Sequence, residues 1–308
     1  MAAPAVPHGE QGALAHLVDL VRRRPPPPGY FANLPERGDL FVRAARGPRE
    51  APTVVLLHGW IASGGLNWFQ AFESLRGRYR VIAPDLRGHA RGIRSWRFKL
   101  SDCADDVAAL LRKKRIQNAI VVGYSMGGPV AQLVWRRHPE LVSGLVLAAT
   151  SARLARSRGI GLLLAGIMEA GAIAGRVISL RSLFSSAMRI SADREIGELQ
   201  LDSLPVWARS EVARHDVRHL LEAGAEIGRF DSTGWLSEID VPTSVVVTER
   251  DRAIPRSHQL AVADAIRGAR VHTIAGGHLS FAYPAFGGTL RAAVDSVAKR
   301  RSGIRRAD

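Results

Sequence analysis

The chain has 308 residues, 46% apolar and 23% charged, which excludes disorder, collagen and coiled coil as descriptions of the whole. Its 43 Lys and Arg against 28 Asp and Glu leave a formal charge of +15, so nucleic acid and anionic lipid surfaces must be weighed as partners. Lysine occurs only at Lys99, Lys113, Lys114 and Lys299, so arginine carries the excess; the single Cys103 excludes an internal disulfide and fits a reducing, cytoplasmic setting.

In residues 1–28, Leu14, Leu17, Val18 and Val21 mark one face of a short helix, which the run Arg22-Arg23-Arg24 and the prolines Pro25 to Pro28 end. This stretch reads as an extension, and its start lacks the basic and apolar regions of a secretory signal. From residue 29 to 150 the pattern becomes that of a folded core. Leu40 to Ala45 supplies an antiparallel edge strand. Short apolar runs follow at Thr53 to Leu57, Arg80 to Ala83, Ala119 to Val122 and Gly144 to Leu147, with two more at Thr243 to Thr248 and Arg270 to Ile274. Several lack alternation, as strands buried on both faces do. Helical stretches lie between most of them, at Leu66 to Leu75, Asp102 to Lys114, Met126 to His138 and Ser257 to Ile266. The second begins with Asp102, Asp105 and Asp106 and ends with Lys113, Lys114 and Arg115, matching the helix dipole. The expected fold class is α/β, a mostly parallel central sheet flanked by helices.

Between Ser151 and Glu238 the alternation stops. This stretch reads as helical, with Ala208 to Ile227 the clearest helix, and forms a cap inserted between the core segments 29–150 and 239–308. Its apolar stretch Gly159 to Gly175 contains Glu169 and falls short of the roughly 20 residues that cross a bilayer, so it reads as a buried or interfacial helix. Leu162, Leu163, Leu164, Ile167, Met168 and Ile173 either face an apolar acyl group or pack against the core.

The segment Gly123-Tyr124-Ser125-Met126-Gly127-Gly128 joins a strand to a helix. Small residues at 123 and 127 allow the tight turn that lifts a serine hydroxyl above a sheet edge, which points to Ser125 as a nucleophile. Serine needs a base held by a carboxylate. His278 follows the strand Arg270 to Ile274 in Gly276-Gly277-His278 and is the candidate base. Asp251 follows the strand Thr243 to Thr248 and is the candidate acid, because the competing strand end, Ala148-Ala149-Thr150-Ser151, contains none. Amides of Met126 and of Trp60, in His58-Gly59-Trp60, would hold an oxyanion, with His58 bracing the loop.

In that order, Ser125, Asp251 and His278 resemble the site of the α/β-hydrolase family, capped serine-hydrolase type. His58-Gly59-Trp60 resembles its oxyanion loop and Asp85-Leu86-Arg87-Gly88-His89 the motif after its fourth strand, although Ala90-Arg91-Gly92 stands where Gly-x-Ser is usual. The resemblance covers roughly residues 39–150 and 239–300. It implies esterase or lipase-like acyl transfer through Ser125, on a small-molecule ester or lipid, with neither cofactor nor metal. Serine at 125 disfavours the aspartate-nucleophile epoxide hydrolases and dehalogenases of the fold. Carbon-carbon bond hydrolases, cofactor-free perhydrolases and a catalytically silent binding module remain open.

The charge is uneven. Arg87, Arg91, Arg94, Arg97 and Lys99 crowd the loop after the fourth strand, either to steer an anionic substrate or lipid surface or simply as a solvated loop. Lys299, Arg300, Arg301, Arg305 and Arg306 read as a disordered tail beyond the last helix. The stretch 201–250 is net acidic, so no specific nucleic-acid binding is expected, while peripheral membrane contact stays open.

Overall fold

The apolar run Thr53–Leu57 is a fully buried strand, as its lack of alternation requires. In the computed structural model, which describes residues 25–154, 157–182 and 204–304, it lies in the middle of an eight-stranded sheet. The strands are β1 (Gly29–Leu34), β2 (Gly38–Ala45), β3 (Thr53–Leu57), β4 (Arg80–Pro84), β5 (Ala119–Tyr124), β6 (Val142–Ala148), β7 (Thr243–Thr248) and β8 (Arg270–Ile274), in the order β1-β2-β4-β3-β5-β6-β7-β8. From β4 to β8 neighbours are parallel, and β1 and β2 add an antiparallel edge.

Helices cover both faces. On one, α2 (Leu100–Lys113), α3 (Gly127–Arg137) and α7 (Arg256–Ala265) bury Leu110, Val130 and Val262 with Val121, Leu145 and Val247 of the sheet. On the other, α1 (Gly64–Leu75) and α8 (Pro284–Ile304) bury Trp68, Phe72, Phe286 and Val294 against Val54, Val122 and Val146. The parallel strands therefore all end at one edge, where the loops after β3, β5, β7 and β8 meet.

Between β6 and β7 the described residues form α4 (Arg158–Ser182), α5 (Leu204–Ala213) and α6 (Val217–Arg229). The helix expected over Ala208 to Ile227 is thus two. Asp216 breaks it: its carboxylate accepts from the amides of Arg218 and His219 and starts α6 afresh. Helices α4 and α6 pack closely because Gly228 lies directly against the Gly161 carbonyl and Gly224 against Met168, where a side chain would collide.

Two further expectations are corrected. Leu40 to Ala45 is not the sheet edge, since β1 lies outside it; β1 is half exposed, with Phe31 open to solvent, so it writes no apolar run. The basic tail is largely helix: α8 runs to Ile304, and the Arg300 guanidinium donates to the carbonyls of Gly268 and Thr243. Arg305 and Arg306, and the helix expected around Leu14 to Val21, lie outside the described residues. Among the described residues no helix is long and apolar enough to cross a membrane.

Candidate active site

The elbow after β5 is shaped by close approaches. A side chain on Gly123 would run into the Gly127 carbonyl, and one on Gly127 into that of Leu57. Ser125 takes φ +50°, a left-handed conformation that a non-glycine residue holds only where its surroundings enforce it. Here its amide donates to the Ala148 carbonyl at 3.0 Å, and its carbonyl accepts from Gly128 N at 2.9 Å and Thr150 Oγ1 at 2.9 Å. The residue is left half-buried at the sheet edge.

Ser125, His278 and Asp251 come from three strand ends and stand in one hydrogen-bonded line. His278 Nε2 is 2.8 Å from Ser125 Oγ, and His278 Nδ1 is 2.8 Å from Asp251 Oδ2. Asp251 accepts the amides of Ala253 and Ile254 on Oδ1 and the Thr248 hydroxyl on Oδ2. Burial alone would raise its pKa, but the His278 and main-chain hydrogen bonds outweigh that and hold the carboxyl below its ordinary range. The acid is therefore an anion with fixed lone pairs, and the arrangement can take a proton from the serine onto the imidazole.

Several residues that build this geometry carry no signal in the sequence. Gln259, fully buried, accepts from the Thr248 amide and donates to Thr248 Oγ1 and the Ile254 carbonyl, closing the turn around Asp251. Tyr124 donates its hydroxyl to the His278 carbonyl at 2.7 Å and packs its ring beside the imidazole. Each is an ordinary residue whose partner only the fold supplies.

The residues expected to supply the two amide donors, Met126 and Trp60, belong to different elements. Met126 directly follows Ser125 and opens α3, where main-chain N–H groups lack intrahelical partners. Across from it, a Cβ on Gly59 would lie 3.3 Å from that of Ser125, so the loop leading to Trp60 passes directly over the serine. His58 sits beneath that loop: Nδ1 donates to the Gly59 carbonyl and Nε2 accepts the Leu86 amide, both at 2.8 Å. Complete burial pushes its pKa down to about 3, so it is a neutral brace.

The basic loop is not simply solvated, because much of it is tied to the fold. Arg87 pairs with the buried Asp106, Arg91 with Glu211 of α5, and Arg94 donates to the carbonyls of Gly88, Ala90 and Arg214. Three of its five cations thus stitch the loop to the core and to the insertion, leaving Arg97 and Lys99 exposed. Of the six apolar α4 residues, Leu162, Leu163, Leu164, Ile167 and Ile173 are exposed, and Met168 alone lies half-buried beside Gly224 and the Trp60 indole.

Comparison with known proteins finds relatives of the chain. The description of the alpha/beta hydrolase fold family matches residues 52–284. An uncharacterized protein of Mycobacterium tuberculosis is 26% identical over 264 residues, spanning 78% of this chain and 74% of that one. A pimeloyl-[acyl-carrier protein] methyl ester esterase of Chromobacterium violaceum is 42% identical over 107 residues, spanning 35% of this chain and 40% of the relative. The crystal structure of a hydrolase from Pseudomonas aeruginosa superposes with a TM-score of 0.68 at 23% identity, over 86% of this chain and 98% of that one, a likeness of fold.

Proposed function

This chain is a hydrolase of the alpha/beta hydrolase fold family, and we propose that it cleaves carboxylic esters through an acyl-enzyme on Ser125. The observation that carries the reading is the line from Ser125 Oγ through His278 to Asp251, with both hydrogen bonds at 2.8 Å and the serine in a left-handed elbow. The similarity to a methyl ester esterase, though confined to about a third of the chain, points the same way.

The mechanism follows from these atoms. Ser125 Oγ attacks the ester carbonyl carbon while its proton passes to His278 Nε2, and the anionic Asp251 stabilises the imidazolium through Nδ1. The developing oxyanion lies between the Trp60 and Met126 amides. Collapse expels the alkoxide, which takes the proton from His278 and leaves as the alcohol. Water, deprotonated by the same imidazole, then attacks the acyl-serine, and collapse breaks the acyl bond to Ser125 Oγ, which takes the proton back from His278 Nε2 as the acid is released. The half-buried Met168 and the Trp60 indole supply apolar surface near the loop, which favours a hydrophobic acyl group.

The test is turnover of p-nitrophenyl esters with acyl chains graded from acetyl to dodecanoyl, by the wild type and by Ser125→Ala. Turnover that grows with acyl length and falls by about four orders of magnitude or more in the variant is the expected result. Equal rates in both proteins would overturn the nucleophile.

A further inference from the structure

The loop that passes over Ser125 is held at its two ends by different parts of the molecule. Its beginning belongs to the core, where His58 bonds Gly59 and Leu86 and the Gly59 amide donates to Asn67 Oδ1 at 2.8 Å. Its end belongs to the helical insertion. The Trp60 indole donates to the Leu220 carbonyl at 3.0 Å, His215 Nε2 lies 3.0 Å from the Ala62 carbonyl, and Ser63 Oγ donates to Glu211 Oε2 at 2.5 Å. Between these anchors Ile61 has φ +57°, a conformation that a β-branched residue keeps only under restraint from both sides.

Glu211 is the deepest of the three anchors, its side chain fully shielded from solvent. Burial would raise its pKa, but Arg91, which reaches Oε1 at 2.7 Å, the Ser63 hydroxyl and the nearby Arg43 together hold the carboxyl below its ordinary range. The Arg91 amide donates in turn to Asp85 Oδ2, and Asp85 Oδ1 accepts the Gly64 amide. Residues 63 and 64 are thus pinned between two buried carboxylates, one from the core and one from α5, with Arg91 bridging them. A surface loop that carries a catalytic amide would otherwise rely on water for these bonds.

We propose that Glu211 is a positioning residue for catalysis: by fixing Ser63 from the insertion it sets residues 60–63, and so aims the Trp60 amide at the oxyanion. The inference rests on the ester-hydrolase reading and extends it, making the docked insertion a condition for a complete oxyanion site. A carboxylate that merely fastened the insertion would stabilise the protein without touching the transition state.

The two roles separate in Glu211→Ala and, should that variant not fold, in Glu211→Gln, each in the full chain. Three readouts are compared with wild type: amide hydrogen exchange of the peptide 58–64 against that of β5, kcat and KM on a short aryl ester, and inhibition by a trifluoromethyl ketone that forms a tetrahedral adduct with Ser125. Exchange at 58–64 is expected to quicken at least tenfold while β5 is unchanged. The kcat should fall about tenfold, ketone affinity should weaken by a similar factor, and KM should stay within twofold. In Glu211→Gln, whose amide oxygen still accepts from Ser63, part of both losses should be recovered. A lowered melting temperature with unchanged kcat and ketone affinity overturns the proposal, as does unaltered exchange at 58–64. A wild type inert to both ester and ketone removes the ester-hydrolase reading, and the positioning role in catalysis falls with it.

Discussion

Arg87 and Asp106 meet in a two-point ion pair, Nε to Oδ2 at 2.8 Å and Nη2 to Oδ1 at 2.6 Å, with both side chains almost wholly covered. A cation that the sequence offered for steering is thereby committed to holding the loop after β4 on α2. Arg87→Met leaves Asp106, among the described residues, with Arg37 as its one charged partner, so a loss of about 2–4 kcal/mol is expected in urea unfolding. The rate ratio for anionic against neutral esters should stay as in wild type; a change in that ratio without a loss of stability would restore the steering role.

Asp251 orients the proposed base through a single 2.8 Å bond while two amides and Thr248 hold it in place. Asp251→Asn keeps the shape but can present its amide N–H to Nδ1, which favours the wrong tautomer. The kcat is expected to drop by about 10⁴, with circular dichroism unchanged. A drop of less than tenfold would place the orienting carboxylate elsewhere.

Tyr124 is the main-chain neighbour of Ser125 and donates to the carbonyl of His278 at 2.7 Å, linking nucleophile and base loop by a second route. Tyr124→Phe removes that bond together with the hydroxyl's hydrogen bond to the Phe281 main chain. Stability should fall by about 1 kcal/mol, and kcat should fall several-fold at unchanged KM, because the imidazole loses one restraint on its distance from Oγ. Full activity in the variant would show that the loop is held without it.

His58 gives the protein an acid-sensitive brace. Burial lowers its pKa from 6.5 to about 3, and His89 beside it is shifted in the same direction by the same cause. Between these values the unfolded chain binds a proton that the folded one refuses. The stability associated with neutral His58 is therefore complete above pH 6.5 and is lost as the pH falls toward 3, by up to about 1.4 kcal/mol per pH unit. Unfolding free energies at pH 7 and pH 5 should differ more for wild type than for His58→Asn. Parallel slopes would mean that the imidazole titrates normally in the fold.

How much of this was legible depended on whether a feature is local in the chain. The strands Thr53–Leu57 and Thr243–Thr248 match the sequence reading residue for residue, because strands buried on both faces need apolar runs and those runs are unambiguous once helices separate them; Arg270–Ile274 matches as well, although it is a mostly exposed edge strand. β1 was missed because Tyr30 and Phe31 face solvent beside Gly29. The break at Asp216 was missed because the apolar spacing continues through it, and only the capping geometry shows that the helix restarts there.

By itself, the sequence determined the parallel strands of the core with the helices between them and the glycine-framed elbow, and it singled out Ser125, Asp251 and His278 as candidates, all of which follow from short-range sterics and from where strands end. Tertiary structure alone decided the partners. Asp106 lies 19 residues from Arg87, Glu211 lies 148 from Ser63, and His278 lies 154 from Tyr124, and nothing local in the chain marks any of these pairs. A charge has no direction until the fold buries it beside its opposite. For that reason the arginine excess, readable as a surface for anions in the sequence, became in the loop after β4 the fastening between the core, the insertion and the loop above Ser125.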